Sequence, residues 1–203
     1  MDLNRTSHWE KIYETKSSNQ VSWTQEYPKT SFEIIQSFEL PKTARIIDVG
    51  GGDSKLVDCL LDAGYEDVTV LDISEKALLR AQKRLGDKAS KVNWVVSDIT
   101  TFKPDRTFDV WHDRASFHFL TEAEDISRYA SIASSFVKGY LSVGTFSMQG
   151  PVKCSGLNIS QYSEEELMSV FSSGFHLLDS KIEDHKTPFD TFQNFLFCSF
   201  KKK

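Results

Sequence analysis

Apolar residues recur along the chain in two alternating rhythms. Ile46, Ile47 and Val49 form a short apolar run, Val68, Val70 and Leu71 form another, and Val92, Trp94, Val95 and Val96 a third. Runs this short, without a polar face, suit strands covered on both sides in a parallel sheet. Between them the spacing turns helical. Phe32, Ile35 and Phe38 predict a helix over 28–38, closed by Pro41, and a second helix is expected over 54–63, stopped by Gly64. Behind Ser74 and Glu75, the periodic Ala77, Leu78, Ala81 and Leu85 make a capped helix that ends at Gly86.

The same reading gives strands at 44–49, 68–72, 92–98, 108–113 and 139–146, a helix over 122–137, and a helix capped by Ser163 and Glu166 that ends at Gly174. Two closing strands, 175–182 and 191–200, are joined through Pro188. Strands alternating with helices predict an α/β fold: a doubly wound, seven-stranded sheet, mostly parallel, with a C-terminal antiparallel hairpin. Lys201 to Lys203 are expected to be a frayed tail.

Size and charge narrow the classes. With 203 residues, 39% hydrophobic and 12% aromatic, the chain can bury one good core and is short for two, so a single domain over 1–203 is expected. No stretch approaches the roughly 18 consecutive apolar residues of a membrane span, and the opening MDLNRTSHWEK lacks a signal peptide's apolar segment. A cytoplasmic protein without a membrane partner follows. The net charge is -5, and the basic stretch Lys76 to Lys91, broken by Asp87, reads as the wet face of a helix, so nucleic acid is not an expected partner. Cys59, Cys154 and Cys198 are scattered and without CxxC spacing, which indicates neither a disulfide framework nor a metal site.

Chemistry concentrates in RIIDVGGGDSKL, residues 45–56, where three glycines sit between acidic residues at the mouth of a buried strand. Bare backbone there lets a ligand approach closely. A P-loop would need a Gly-Lys pair, which the loop lacks, and a dinucleotide loop starting at Gly50 and Gly52 would put Lys55 where close packing wants Gly or Ala. Asp48 would repel a pyrophosphate but attract an ammonium group. S-adenosylmethionine carries an ammonium and a sulfonium, and no phosphate. Asp72, followed by Ile73 at the end of the second strand, stands where such folds place the acid that accepts from the ribose hydroxyls. Asp98 suits an adenine amino group and Ile99 the ring.

These residues resemble the class I S-adenosylmethionine-dependent methyltransferases, whose motif D-x-G-x-G-x-G matches Asp48, Gly50 and Gly52 and departs at Ser54. The resemblance spans nearly the whole chain and implies a Rossmann-like fold. HWEKIY and VSWTQEYP, within residues 8–28, are similar to the cap of thiopurine methyltransferase-like enzymes and of elongation-factor lysine methyltransferases. In that cap aromatic residues cover the cofactor, which implies such a role for Tyr13 and Trp23 and makes 1–40 a helical cap. FDVWHDRASFHFLT, GPVKCSGL and EDHKTPF resemble a group of bacterial methyltransferases.

His112, Asp113 and Arg114 close the fourth strand, where the transferred methyl group is expected, with an Asp–Arg surface pair as the plainer alternative. Asp113 and His118 are the candidate catalytic residues, as base or orienter, and the turn-rich 147–162 is the expected substrate-side loop. Cys154 is expected to be a small residue in an ordered loop, and Glu183, Asp184 and His185 lack the defined spacing of metal ligands. A nicotinamide enzyme is disfavoured by Asp48 and Lys55, and none of the six tyrosines has lysine four positions on. The sequence after the fourth strand, HDRA, is not the [DN]-P-P-[FY] of a nucleic-acid methyltransferase. The stretch after the fifth strand is long enough to fold a lid, which favours a small-molecule acceptor. A protein lysine acceptor and a non-catalytic cofactor-binding module are the alternatives.

Overall fold

A computed structural model describes residues 3–203. Its centre is a seven-stranded sheet in the order β3-β2-β1-β4-β5-β9-β8. The strands are β1 (Arg45–Val49), β2 (Asp67–Asp72), β3 (Val92–Val96), β4 (Phe108–Arg114), β5 (Val137–Phe146), β8 (Phe175–Lys186) and β9 (Phe192–Lys202). The first five run parallel, and β9 pairs antiparallel with both β5 and β8.

Alternation along each strand explains the layers. Ile46, Val68, Val70 and Val110 point to one face, against Phe32 and Ile35 of α2 (Lys29–Ser37), Leu56 and Leu60 of α3 (Leu56–Asp62), and Leu78 of α4 (Glu75–Leu85). Ile47, Leu71, Trp111 and Leu141 point the other way, against Tyr129 and Ala133 of α5 (Ala123–Phe136) and Leu167 and Phe171 of α6 (Glu164–Phe171). Both faces are therefore apolar, which is why the central strands read as continuous hydrophobic runs. Strand order reverses between β1 and β4, and the crevice at the carboxyl ends of such neighbours is where open α/β sheets bind ligands.

Several expectations shift. The stretch 147–162 holds a two-stranded hairpin, β6 (Lys153–Cys154) with β7 (Leu157–Asn158). Lys201 and Lys202 are no tail: they extend β9 opposite Tyr140 and Phe175, and Lys202 Nζ donates to the Ser134 carbonyl at 2.6 Å. The third strand stops at Val96, leaving Asp98 in the loop beyond it. The basic face of α4 is a clasp as well as a wet surface. Arg84 donates to the carbonyls of Asp53 and Ser54, each at 2.7 Å, and Arg80 donates to the carbonyl of Lys16 at 2.6 Å and to that of Tyr13. Those bonds tie both the glycine loop and α1 (Leu3–Thr15) to α4.

Candidate functional site

The glycine loop leaves β1 through two left-handed residues, Gly50 at φ +65° and Gly52 at φ +49°. Each glycine is also sterically required. A Cβ at Gly51 would meet Asp48 Oδ2 at 2.6 Å, and one at Gly52 would meet the Tyr13 hydroxyl at 2.7 Å and Asp72 Oδ2 at 3.1 Å. Two adjoining cavities open around this loop, sharing Tyr13, Trp23, Gly50 and Arg114 as walls.

One half of the first cavity is built on the ends of β2 and β3. Asp72, Ile73, Asp98 and Ile99 all line it. The buried Asp72 carboxylate accepts from the Ser74 N–H at 2.8 Å, and burial, reinforced by Asp53 and Asp48, pushes its pKa up to about 7. Asp98 Oδ1 accepts from both the N–H and the hydroxyl of Thr100, at 2.9 and 2.7 Å, while Asp98 Oδ2 is buried without a partner. A buried acceptor left open at an apolar cavity is a place for a ligand's N–H donor. Together these groups could hold an adenosine, with Asp72 and Asp98 Oδ2 as acceptors and Ile73 and Ile99 as apolar surface.

The other half is aromatic. Trp9 of α1 packs edge-on against Trp23 and Phe119 at ring separations of 5.7 and 4.9 Å, and Phe146 at the end of β5 and Cys154 of β6 complete the wall. The Cys154 thiol is pushed up to about 11 by burial and stays protonated. Tyr13 and Trp23 line both cavities, so the cap comes down on the glycine loop. Trp9 was not singled out from the sequence, because α1 reads LNRTSHWEKIYET, with no apolar stripe to mark a packed helix.

The two candidate catalytic residues, Asp113 and His118, line neither cavity. Asp113 is fully buried, facing α5 rather than a cavity: Oδ1 accepts from the N–H groups of Ser116 and Phe117 at 3.2 and 3.0 Å, and Oδ2 from the Tyr129 hydroxyl at 2.9 Å. Its carboxylate is occupied in holding the turn after β4. His118 is also fully buried, stacked on Phe146 at 4.3 Å with both ring nitrogens unpartnered, and burial with the charge of Arg114 lowers its pKa to about 3. Neutral and walled off from either cavity, it is not positioned to take a proton. Asp48 is likewise committed: its Oδ1 lies 2.7 Å from His112 Nδ1, both groups are buried, and both line the second cavity rather than the first. Arg114 points away from Asp113 and forms no surface pair with it; its Nη1 donates to the Trp23 carbonyl at 3.0 Å.

Comparison with known proteins agrees with this fold. Residues 46–138, from β1 to the start of β5, match the family described as Methyltransferase domain. Those residues carry a methyltransferase domain, and the comparisons support a class I S-adenosylmethionine-dependent methyltransferase. It is 27% identical over 128 residues to the mouse eEF1A lysine and N-terminal methyltransferase, a match covering 62% of this chain but 18% of that protein. The fold is similar to that of N-methyltransferase NodS from Bradyrhizobium japonicum in complex with S-adenosylhomocysteine, at TM-score 0.73, 13% identity and coverage of 97% and 98% of the two chains. It is also similar to the 1,6-didemethyltoxoflavin-N1-methyltransferase of Burkholderia thailandensis, at TM-score 0.69, 16% identity and coverage of 99% and 85%. No described helix is long and apolar enough to cross a membrane, and among the described residues no cluster of His, Cys, Asp or Glu could hold a metal.

Proposed function

We propose that this methyltransferase domain acts on a small-molecule acceptor, bound in the aromatic half of the first cavity. The observation that carries the reading is the aromatic lining of that half. Trp9, Trp23, Phe119 and Phe146 wall that half, and the covering segment is pinned by the edge strand β8, whose His185 Nε2 donates to the Ser22 carbonyl at 2.7 Å. A flat apolar molecule fits such a slot, whereas a lysine offered by a folded protein needs an open channel. The bound cofactor would supply an electrophilic methyl group on its sulfonium. This chain's part is to hold the adenosine at Asp72, Ile73, Asp98 and Ile99, to pass the cofactor's amino-acid end over Gly50 towards the polar second cavity, and to exclude water from the reacting pair.

A protein lysine acceptor is the second reading, favoured by the mouse relative and its name. Labelled cofactor incubated with the chain and either a cell lysate or its small-molecule extract separates the two. Label in the extract is expected. Label found only in protein would overturn the small-molecule reading, and label in neither, with cofactor bound, would favour a non-catalytic module.

The cofactor side yields a sharper test. Asp72→Ala should weaken S-adenosylhomocysteine binding by about 1–3 kcal/mol in calorimetric titration, since the ribose hydroxyls lose an ionised acceptor. Those hydroxyls donate, so they favour the carboxylate, and a group with pKa about 7 must first lose its proton at lower pH. Parent affinity should therefore rise about tenfold per pH unit up to that pKa and then level off, and Asp72→Asn should be flat. A flat parent profile would remove Asp72 from the site.

A further inference from the structure

Of the arginines lining the two cavities, Arg5 pairs with Asp125, Arg80 with Asp53 at 3.7 Å and Arg84 with Asp58 at 2.7 Å. Arg114 has no carboxylate within 4.0 Å among the described residues. Its Nε is buried without a partner, and its guanidinium lies over the Phe195 ring at 4.8 Å. The acids whose fields reach it are engaged elsewhere: Asp48 with His112, and Glu183 with Thr30 and with Lys181 at 3.0 Å. Burial lowers its pKa to about 10, which still leaves it charged at neutral pH. A half-buried cation at an apolar wall, short of a counter-charge, lacks an anion.

Arg114 lines the second cavity as well, but its place in the sheet favours an anion in the first. Asp72 and Asp98 lie at the ends of β2 and β3, whereas Arg114 ends β4 and leans on β9, across the cavity beside Phe119 and Phe146. On that side, among the described residues, no carboxylate lines the first cavity, and Cys154 stays protonated, so an acceptor needing to lose a proton in place would find no base. We propose that Arg114 receives the acceptor as an organic anion, a flat apolar molecule bearing a carboxylate, phenolate or thiolate. This rests on the methyltransferase reading and names its substrate class. The acceptor's electron pair forms the new bond to the methyl carbon, the C–S bond breaks with its pair left on sulfur, and negative and positive charge cancel without a proton transfer.

The test uses the full chain loaded with S-adenosylhomocysteine, with benzoate, benzyl alcohol and benzylamine as probes, read by the fluorescence of Trp9 and Trp23 and by calorimetry. Benzoate should bind at least about tenfold tighter than the other two, as expected for a charge-assisted contact. Arg114→Met should erase that preference and Arg114→Lys keep part of it. With labelled cofactor, thiophenol should be methylated in preference to benzylamine. Equal binding of the probes, a preference for benzylamine, or a benzoate preference that survives in folded Arg114→Met would overturn the proposal. So would loss of S-adenosylhomocysteine affinity with unchanged benzoate binding, which would give Arg114 to the cofactor's carboxylate instead. If Arg114→Met fails to fold, the parent's preference among the probes still decides. A parent that binds no S-adenosylhomocysteine would sink the methyltransferase reading itself, whereas failure of the anion proposal alone leaves that binding intact.

Discussion

Gly50→Ala is expected to lower S-adenosylhomocysteine affinity by a factor of about 100 or more, the equivalent of some 3 kcal/mol. The residue sits at φ +65°, where an alanine costs about 1–2 kcal/mol, and its new Cβ would fall inside 3.0 Å of both Cβ and Oγ of Ser116. Ser116 belongs to the turn after β4 and, like Gly50, lines the first cavity. The side chain strikes the opposite lip of the crevice, so the β1 and β4 turns must part and stability falls with affinity. Thermal shift with and without ligand measures both. Adding Ser116→Gly removes the collision but not the backbone strain, and should restore affinity to within about tenfold of the parent while leaving part of the stability loss. Equal ligand-induced shifts in Gly50→Ala and the parent would show that the crevice between these turns does not meet the ligand.

What was legible in the sequence, and what was not, follows from periodicity. The central strands announce themselves because both faces are covered, and Asp72 and Asp98 stand out because a carboxylate just past an apolar run has nowhere to go but the sheet's end. At the end of β4 the same logic fails. His112, Asp113 and Arg114 alternate faces, and the register that pairs Asp48 with His112 and Val49 with Asp113 decides which of them meets the crevice. A shift of one residue exchanges every side chain between faces, and nothing in HDR fixes it. Asp113 thus goes with Val49 to the α5 side, leaving Arg114 at the cavity. His118 was misleading for a different reason. A 3-10 turn over Phe117–Phe119 tucks it under Phe146, and such a turn leaves little trace in hydrophobic spacing. The cap was legible only through its aromatic residues, since its helix has no apolar stripe.

Asp113→Ala is expected to destabilise the fold by about 3–5 kcal/mol, because it strands the N–H groups of Ser116 and Phe117 and the Tyr129 hydroxyl, all inside the core. Tyr129 in turn accepts from Trp111 Nε1 at 2.9 Å, so the chain of bonds runs from β4 through α5 and back. Asp113→Asn keeps the acceptor for the two N–H groups and should cost far less. The two variants also differ from the parent in pH dependence. Burial raises the Asp113 pKa to about 6, above its unfolded value of about 3.9. Between those values the folded chain holds a proton that the unfolded chain has lost, so the parent's stability should fall as pH rises through the window. The loss attributable to this group is about 3 kcal/mol by linkage, fully spared below pH 4 and complete above 6. Asp113→Asn lacks the ionisation, so subtracting its urea-denaturation profile from the parent's removes the parallel contribution of Asp72 and isolates Asp113. A difference that is flat between pH 4 and 7 would mean that Asp113 is solvated, and would return it to the candidates for chemistry at the acceptor.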